Sequence, residues 1–139
     1  MANIKPFKAL RPKPDLAKQI AAKPYDVLTS EEARSEAKNN PYSFLHVTKS
    51  EIDLPRGVDS HSKQVYEKAN ENLQRLIRDG VLFYDNQPCY YIYQLVMNGK
   101  RQTGLVCVSA VEDYFNDVIK KHEFTRPEKE KDRIDHMLA

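Results

Sequence analysis

The sequence predicts an α+β fold with a mainly antiparallel sheet, a central hairpin at about residues 89–110, and three or four helices. Asn98-Gly99 separates two apolar runs, which is a strong signal for a two-residue hairpin turn. Residues 62–79 repeat apolar side chains at helical spacing. The predicted strands lie early and late in the chain with helices between them, and this order is typical of α+β folds rather than of regular βαβ units.

The N-terminal part of the chain is predicted to hold two helices and a strand. Prolines restrict the backbone before residue 25, so extended chain is expected around a short helix at 15–22. Thr29 or Ser30 caps a second helix that runs to Ala37 and carries acidic residues in its first turn, where the helix dipole favours them. Residues 43–48 are predicted to form a strand.

The clearest helix is predicted over about residues 62–79. One face of this segment is apolar and the other is charged, and Gly80 is a natural terminator. A short strand is predicted next, at 81–84. The apolar positions of the helix are Val65, Ala69, Leu73, Leu76 and Ile77.

The two hairpin strands are predicted over 89–97 and 102–110. Both are apolar at nearly every position, which predicts a central pair covered on both faces. A turn of two or four residues makes Cys89 and Cys107 point to opposite faces, whereas a three-residue turn would bring them onto one face. Free thiols and a cytoplasmic location are therefore expected.

Composition excludes several classes of protein. A chain of 139 residues is the size of one domain, so a single domain over 1–139 is predicted. No apolar run approaches the roughly 20 residues needed to cross a bilayer, and a net charge of +2 is too small to indicate a nucleic-acid partner. No Cys or His pair has zinc-ligand spacing and no Gly-rich phosphate loop occurs, so no metal site is predicted.

One short segment concentrates groups suited to chemistry. Residues 120–126 hold three cations, a histidine and a carboxylate just before a predicted helix. His122 and Glu123 are the candidate catalytic residues, because a histidine titrates near neutral pH and a carboxylate can fix its tautomer. A solvated charged turn or a basic surface patch is the structural alternative. The candidate phosphate ligands in this segment are Lys120, Lys121 and Arg126.

Tyr25 and Asp26 are further candidates for ligand binding. The preceding Pro24 stiffens the backbone and would project the phenol and the carboxylate into a cleft. In the structural alternative, Tyr25 packs on the core and Asp26 caps the next turn.

The last helix is predicted to begin with a capping box. Thr125 and Glu128 have the required spacing, and Pro127 suits the first turn. The helix is expected to continue through Leu138 with no capping residue after it. The sequence is therefore expected to be the N-terminal portion of a longer protein.

Four segments of the chain resemble the opening of a bacterial family of uncharacterised proteins, domain-of-unknown-function family 1015. Longer members of that family resemble, more weakly, the ParB-like nucleotide-binding proteins, which include free serine kinases. That likeness rests partly on an Asp-Gly-His-His-Arg type segment, which is absent here. The resemblance implies that a nucleoside phosphate is a candidate ligand. The four segments are residues 4–12 (IKPFKALRP), 22–28 (AKPYDVL), 40–47 (NPYSFLHV) and 120–125 (KKHEFT).

Two functions are consistent with these observations. In the first, the chain is part of a phosphate- or nucleotide-binding enzyme, for example a small-metabolite kinase, and residues 24–26 share a pocket with residues 120–126. In the second, it is a non-catalytic binding or regulatory module, and those two segments lie far apart. The partners expected are a phosphorylated small molecule or a nucleotide, and neither a membrane nor a nucleic acid.

Overall fold

The computed structural model describes residues 1–121 and 126–139. Within them the chain forms two compact units. One unit contains residues 1–11 and 84–121, and it includes the hairpin. The other contains residues 12–83 together with 126–139, and most of its regular structure is helical. The single domain expected over the whole chain stays a prediction.

The secondary structure is α+β, as the sequence predicts. All four predicted helices are present as α1, α2, α4 and α6, and two further short helices occur among the described residues. The helices are α1 (Ala17–Ile20), α2 (Ser30–Ala37), α3 (Leu45–Thr48), α4 (Lys63–Arg78), α5 (Val111–Phe115) and α6 (Pro127–Leu138). Single 3-10 turns occupy Pro14–Leu16, Tyr25–Val27 and Ser50–Asp53. The strands are β1 (Ile4–Lys5), β2 (Leu10–Pro12), β3 (Leu82–Tyr84), β4 (Tyr91–Met97), β5 (Lys100–Val106) and β6 (Val108–Ser109).

Helix α4 forms the centre of the helical unit. It begins after Ser62 and ends before Gly80, whose φ of 68° is the left-handed conformation that closes many helices. The face that the sequence marks as apolar does face the core, although Leu73 and Ile77 are only half-buried. The buried residues of α4 are Val65, Tyr66, Ala69, Asn72 and Leu76.

Helix α2 packs on the segment that follows it. Thr29 is its cap: the Thr29 hydroxyl accepts a hydrogen bond from the Glu32 backbone N–H at 3.3 Å, and the Glu32 carboxylate accepts from the Thr29 N–H at 2.8 Å. This capping box fixes where the helix begins. The core cluster that α2 helps to form consists of Ala33, Ala37, Leu45 and Ile52.

The predicted strand at 43–48 is wrong, because this segment contains the helix α3. The Ser43 hydroxyl accepts a hydrogen bond from the Leu45 N–H at 3.3 Å and thereby satisfies one free donor of the first turn. Leu45 and Val47 are both buried, at 2% and 5% exposure. Their alternation resembles a strand pattern, but packing on α2 and α4 outweighs the strand preference of β-branched residues.

The hairpin has the two-residue turn that Asn98-Gly99 predicts. Asn98 and Gly99 have φ of 51° and 75°, as a type I′ turn requires, and Met97 pairs with Lys100. β4 begins two residues later than the predicted 89–97, whereas β5 begins two residues earlier and ends four residues earlier than the predicted 102–110. The prediction that other parts of the protein cover both faces of the hairpin is wrong for the part of the chain that the structure describes, since every residue of β4 and β5 except Tyr91 is exposed.

Both cysteines are free thiols, as predicted. Cys89 is exposed and Cys107 is half-buried. Neither cysteine lies within β4 or β5. The backbone of Cys89 instead forms an isolated antiparallel β-bridge with the backbone of Phe7.

His46 connects α3 to the next turn through its imidazole. Nδ1 lies 2.9 Å from both carboxylate oxygens of Asp53, and Nε2 lies 3.0 Å from the Asn40 carbonyl oxygen. Both ring nitrogens thus face acceptors, which suits the protonated ring. The hydrogen bond to Asp53 raises the pKa of His46. Burial opposes ionisation of Asp53, but His46, with help from Asn72 and Lys68, outweighs burial and lowers the pKa of that carboxyl.

We expect the stabilisation from the His46–Asp53 pair to be largest between roughly pH 4 and pH 6.5. The folded pKa of His46 is raised, so its contribution is full below the unfolded pKa and is lost as pH rises through the folded one. The pKa of Asp53 is lowered, so its contribution is lost as pH falls through the folded value. Urea unfolding of the wild type and Asp53→Asn from pH 3 to pH 9 measures this. A stability difference that does not change with pH would contradict the assignment.

Candidate functional site

A cavity of about 220 Å³ lies within the helical unit. One wall is the turn that holds Tyr25 and Asp26, and another is the segment from Thr48 to Glu51. The start of α4 and the preceding loop supply further lining residues, and α6 supplies the rest. Because polar and charged side chains dominate this lining, the cavity is the strongest candidate for a binding site among the described residues.

Helix α6 presents one polar face to the cavity. Pro127 occupies its first turn, as predicted, and Arg126 is its N-cap residue. The four residues that line the cavity are spaced by three, one and three positions, which places them on one face of a helix. They are Lys129, Asp132, Arg133 and His136.

Asp132 is the buried centre of this face, with 8% of its surface exposed. The Tyr66 hydroxyl donates a hydrogen bond to Asp132 Oδ1 at 2.8 Å. The Arg133 guanidinium donates to Oδ2, with Nε at 3.1 Å. His61 Nε2 lies 3.6 Å from Oδ1, at the exposed end of the arrangement. The carboxylate therefore holds α4 and α6 together and orients the arginine.

Burial and hydrogen bonding set the charge states of Tyr66, Asp132 and His136 near neutral pH. Burial and the hydrogen bond to Asp132 raise the pKa of Tyr66 to about 12, so the phenol stays neutral and donates. Burial alone would raise the pKa of Asp132, but the hydrogen bonds from Arg133 and Tyr66 outweigh burial and lower it. Burial, together with the charge of Arg133, lowers the pKa of His136, which favours its neutral form.

The aromatic ring of Tyr25 lies close to two cations. The guanidinium carbon of Arg133 lies 4.0 Å from the ring centroid, and the Lys129 ammonium lies 5.7 Å from it. Both distances are in the range of cation–π attraction. The half-buried phenol therefore helps to keep two positive groups close together at the cavity wall.

Salt bridges neutralise some of the cavity's charges but not all of them. Lys49 lies 3.1 Å from Glu51, and Arg133 is paired with Asp132. Lys129 forms no salt bridge within residues 1–121 and 126–139. The Lys129 ammonium and the Asp26 carboxylate, which also forms no salt bridge among the described residues, are therefore the lining charges left for a ligand.

The family to which the chain belongs is decided by comparison with known families. The model of a family described as "Protein of unknown function (DUF1015)" matches residues 4–139. The chain belongs to the DUF1015 family. The resemblance inferred from four sequence segments is thus confirmed, while the weaker ParB-like likeness stays a prediction. No curated protein and no solved structure matches the chain.

Of the candidate residues in this DUF1015 protein, Tyr25 and Asp26 line the cavity. Arg126 belongs to the same unit, but it is exposed and caps α6 rather than lining the cavity. Lys120 and Lys121 belong to the hairpin unit. Lys121 forms a salt bridge with Asp117 at 3.0 Å.

The two candidate catalytic residues, His122 and Glu123, lie outside the residues that the structure describes, as does Thr125 of the predicted capping box. A pocket shared by residues 24–26 and 120–126 therefore stays a prediction.

Sequence reasoning missed most of the residues around the cavity in this DUF1015 protein. The spacing of the polar residues on α6 could have revealed their common face, because positions i, i+3, i+4 and i+7 of a helix lie together. His61, Lys49 and Tyr66 gave no such signal, since the fold brings them together from separate elements.

Neither a metal centre nor a membrane-crossing helix occurs in the described part of the chain. In residues 1–121 and 126–139, no group of three or more His, Cys, Asp and Glu side chains is placed to hold a metal ion. The helices in these residues are too short or too polar to traverse a bilayer.

Proposed function

We propose that the cavity beside α6 binds a small phosphorylated molecule. The observation that carries this proposal is Lys129, a cation on the cavity wall without a salt bridge among the described residues, beside Arg133 and Tyr25. Phosphate oxygens accept several charge-assisted hydrogen bonds at once. Lys49 and Arg133 keep further N–H donors after their salt bridges form, because an ammonium has three donors and a guanidinium has five.

The size of the cavity limits the ligand. Its volume of about 220 Å³ lies below the roughly 300–1,000 Å³ of sites that enclose drug-sized ligands. A phosphorylated metabolite of a few carbon atoms fits such a space. A nucleoside phosphate would place its phosphates in the cavity and its base outside.

The finer proposal is a small-metabolite kinase that uses a nucleoside phosphate as donor. In it His122 and Glu123 move the proton of the accepting hydroxyl, while Tyr25 and Asp26 position the ligand. The placement of Tyr25 and Asp26 at the cavity supports it. We also propose that the protein is cytoplasmic, which its free thiols suit.

The alternative is a non-catalytic binding or regulatory module. It is favoured by the state of Asp132, whose oxygens are already held by Tyr66 and Arg133. A carboxylate held in this way is a structural anchor and a poor proton acceptor. ATP consumption across a panel of hydroxyl-bearing metabolites separates the two functions. Turnover that His122→Ala abolishes supports the kinase, and phosphate binding without turnover supports the module.

We expect Lys129→Met to weaken the binding of inorganic phosphate or pyrophosphate by about tenfold, because one charge-assisted contact is lost. Isothermal titration calorimetry of the two variants and the wild type measures this. Lys131→Met is the matched control, since Lys131 lies on the same helix, is 75% exposed and pairs with Asp135 outside the cavity. Equal weakening by both substitutions, or no heat with phosphate, pyrophosphate or ATP, would count against the proposal.

A further inference from the structure

The charged side chains that line the cavity beside α6 are balanced in sign. Apart from two histidines, they are three cations and three carboxylates. Burial and the charge of Arg133 lower the pKa of one of these histidines, His136, so that it is mostly neutral at pH 7. Clefts that attract an anion are normally lined by an excess of cations, and this cavity has none. The cations are Lys49, Lys129 and Arg133, and the carboxylates are Asp26, Glu51 and Asp132.

Pairing within the lining leaves one charge of each sign. Neither Lys129 nor Asp26 forms a salt bridge within residues 1–121 and 126–139. The charges left for a ligand are therefore an ammonium and a carboxylate. The other two cations and two carboxylates form the pairs Lys49–Glu51, at 3.1 Å, and Arg133–Asp132.

The two unpaired charges belong to neighbouring parts of the lining. The Lys129 ammonium lies 5.7 Å from the centre of the Tyr25 ring. Asp26 directly follows Tyr25 in the same 3-10 turn, so the Cα atoms of these two residues are about 3.8 Å apart. A phosphate bound by Lys129 therefore has a second, negative charge in its neighbourhood.

Arg133 is held in an orientation that lets it contribute to the phosphate end. Its Nε donates to Asp132 Oδ2 at 3.1 Å, and Nη2 donates to the same oxygen. The guanidinium carbon also lies 4.0 Å from the centre of the Tyr25 ring. A guanidinium has five N–H groups, so the others are left for a ligand, and such a planar fork of donors suits phosphate oxygens.

We propose that the ligand of the cavity is a phosphorylated amine, a molecule that carries a positive ammonium group besides its phosphate. This inference rests on the proposed function, because it takes phosphate binding at Lys129 as given. Lys129 and Arg133 bind the phosphate, and Asp26 accepts a hydrogen bond from the ammonium group. Such a ligand pairs both remaining charges, whereas a phosphate alone would leave the Asp26 carboxylate unpaired and repelled.

Isothermal titration calorimetry with three small phosphates tests the proposal. O-Phosphoethanolamine carries the ammonium group, propyl phosphate has a methyl group in its place, and 2-hydroxyethyl phosphate has a hydroxyl group there. At about pH 8 the phosphate is dianionic and an ordinary histidine is neutral. We expect the wild type to bind O-phosphoethanolamine about fivefold more tightly than either of the other two.

Asp26→Asn keeps the shape of the side chain and removes its charge. It should weaken the binding of O-phosphoethanolamine about fivefold, while propyl phosphate binds as tightly as before or more tightly. A variant that only disturbed the fold would weaken the binding of all three phosphates. Asp15→Asn is the matched control and should keep the preference of the wild type. Asp15 is exposed in another 3-10 turn of the same unit and does not line the cavity.

Three outcomes overturn the proposal. If O-phosphoethanolamine and propyl phosphate bind equally and Lys129→Met weakens both, the phosphate site stands but the amine is wrong. If 2-hydroxyethyl phosphate binds as tightly as O-phosphoethanolamine, Asp26 accepts from a hydroxyl group instead. If none of the three phosphates gives heat, and neither does inorganic phosphate, the proposed function itself fails and this inference fails with it.

Discussion

Leu76→Ala should lower the free energy of unfolding by about 2–5 kcal/mol, the largest effect expected from a single substitution in this chain. Leu76 is 0% exposed and lies on α4, the central helix of the helical unit. Shortening it leaves a cavity that the surrounding side chains fill only in part. Alanine is a better helix former than leucine, so the loss measures packing and not helix propensity. Urea unfolding followed by circular dichroism at 222 nm measures it.

Leu138→Ala is the control for that experiment. It deletes the same atoms from a side chain that is 80% exposed at the end of α6. Surface substitutions of this kind change stability by less than about 0.5 kcal/mol. Similar losses for the two variants would show that α4 does not form the core. The urea dependence of the free energy should stay the same, since its slope reports the surface exposed on unfolding.

Asp132→Ala should cost about 1–3 kcal/mol of stability, because it removes the acceptor of a buried phenol. The substitution leaves the Tyr66 hydroxyl without the acceptor that Asp132 provides, and it removes the carboxylate that pairs with Arg133. Thermal and urea unfolding at pH 7 measure the loss. A double-mutant cycle with Tyr66→Phe should give a coupling energy on the order of 1 kcal/mol, which identifies the hydrogen bond as the source.

Asp135→Ala is the matched control on the same helix. Asp135 pairs with the exposed Lys131, and such surface pairs contribute about 0–1 kcal/mol. Both substitutions change the helix propensity by the same amount, so this contribution cancels in the comparison. Equal losses, or additive effects in the cycle, would mean that Asp132 is not an anchor between α4 and α6.

The sequence predicted the elements whose signals are local. Thr29 and Glu32 make the capping box of α2 by themselves, and Asn98-Gly99 makes the hairpin turn by itself. Helix α4 has enough turns to show its period. The prediction of a strand at 43–48 was wrong because a helix of four residues is too short to show a period in the sequence, and because packing decided the conformation of this segment.

The candidate site was less predictable than the fold. Tyr25 and Asp26 were chosen for the stiffness of the backbone at Pro24, and they do line the cavity. Helix α6 supplies half of the Asp, Glu, Lys and Arg residues that line the cavity, and its polar face could have been found from its spacing. The contact between Tyr66 and Asp132 joins residues far apart in sequence, and no local pattern indicates such a contact.

The pairing of β1 with β6 has a consequence for biosynthesis. Ile4 pairs with Ser109, so about 100 residues separate the two partners. A ribosome adding about 5–20 residues per second would make the first strand wait about 5–20 s for its partner. During that interval the helices up to Arg78 are already made and can pack, because the contacts of α2, α3 and α4 are closer in sequence. The middle helices of the nascent chain can therefore pack before the first strand has a partner.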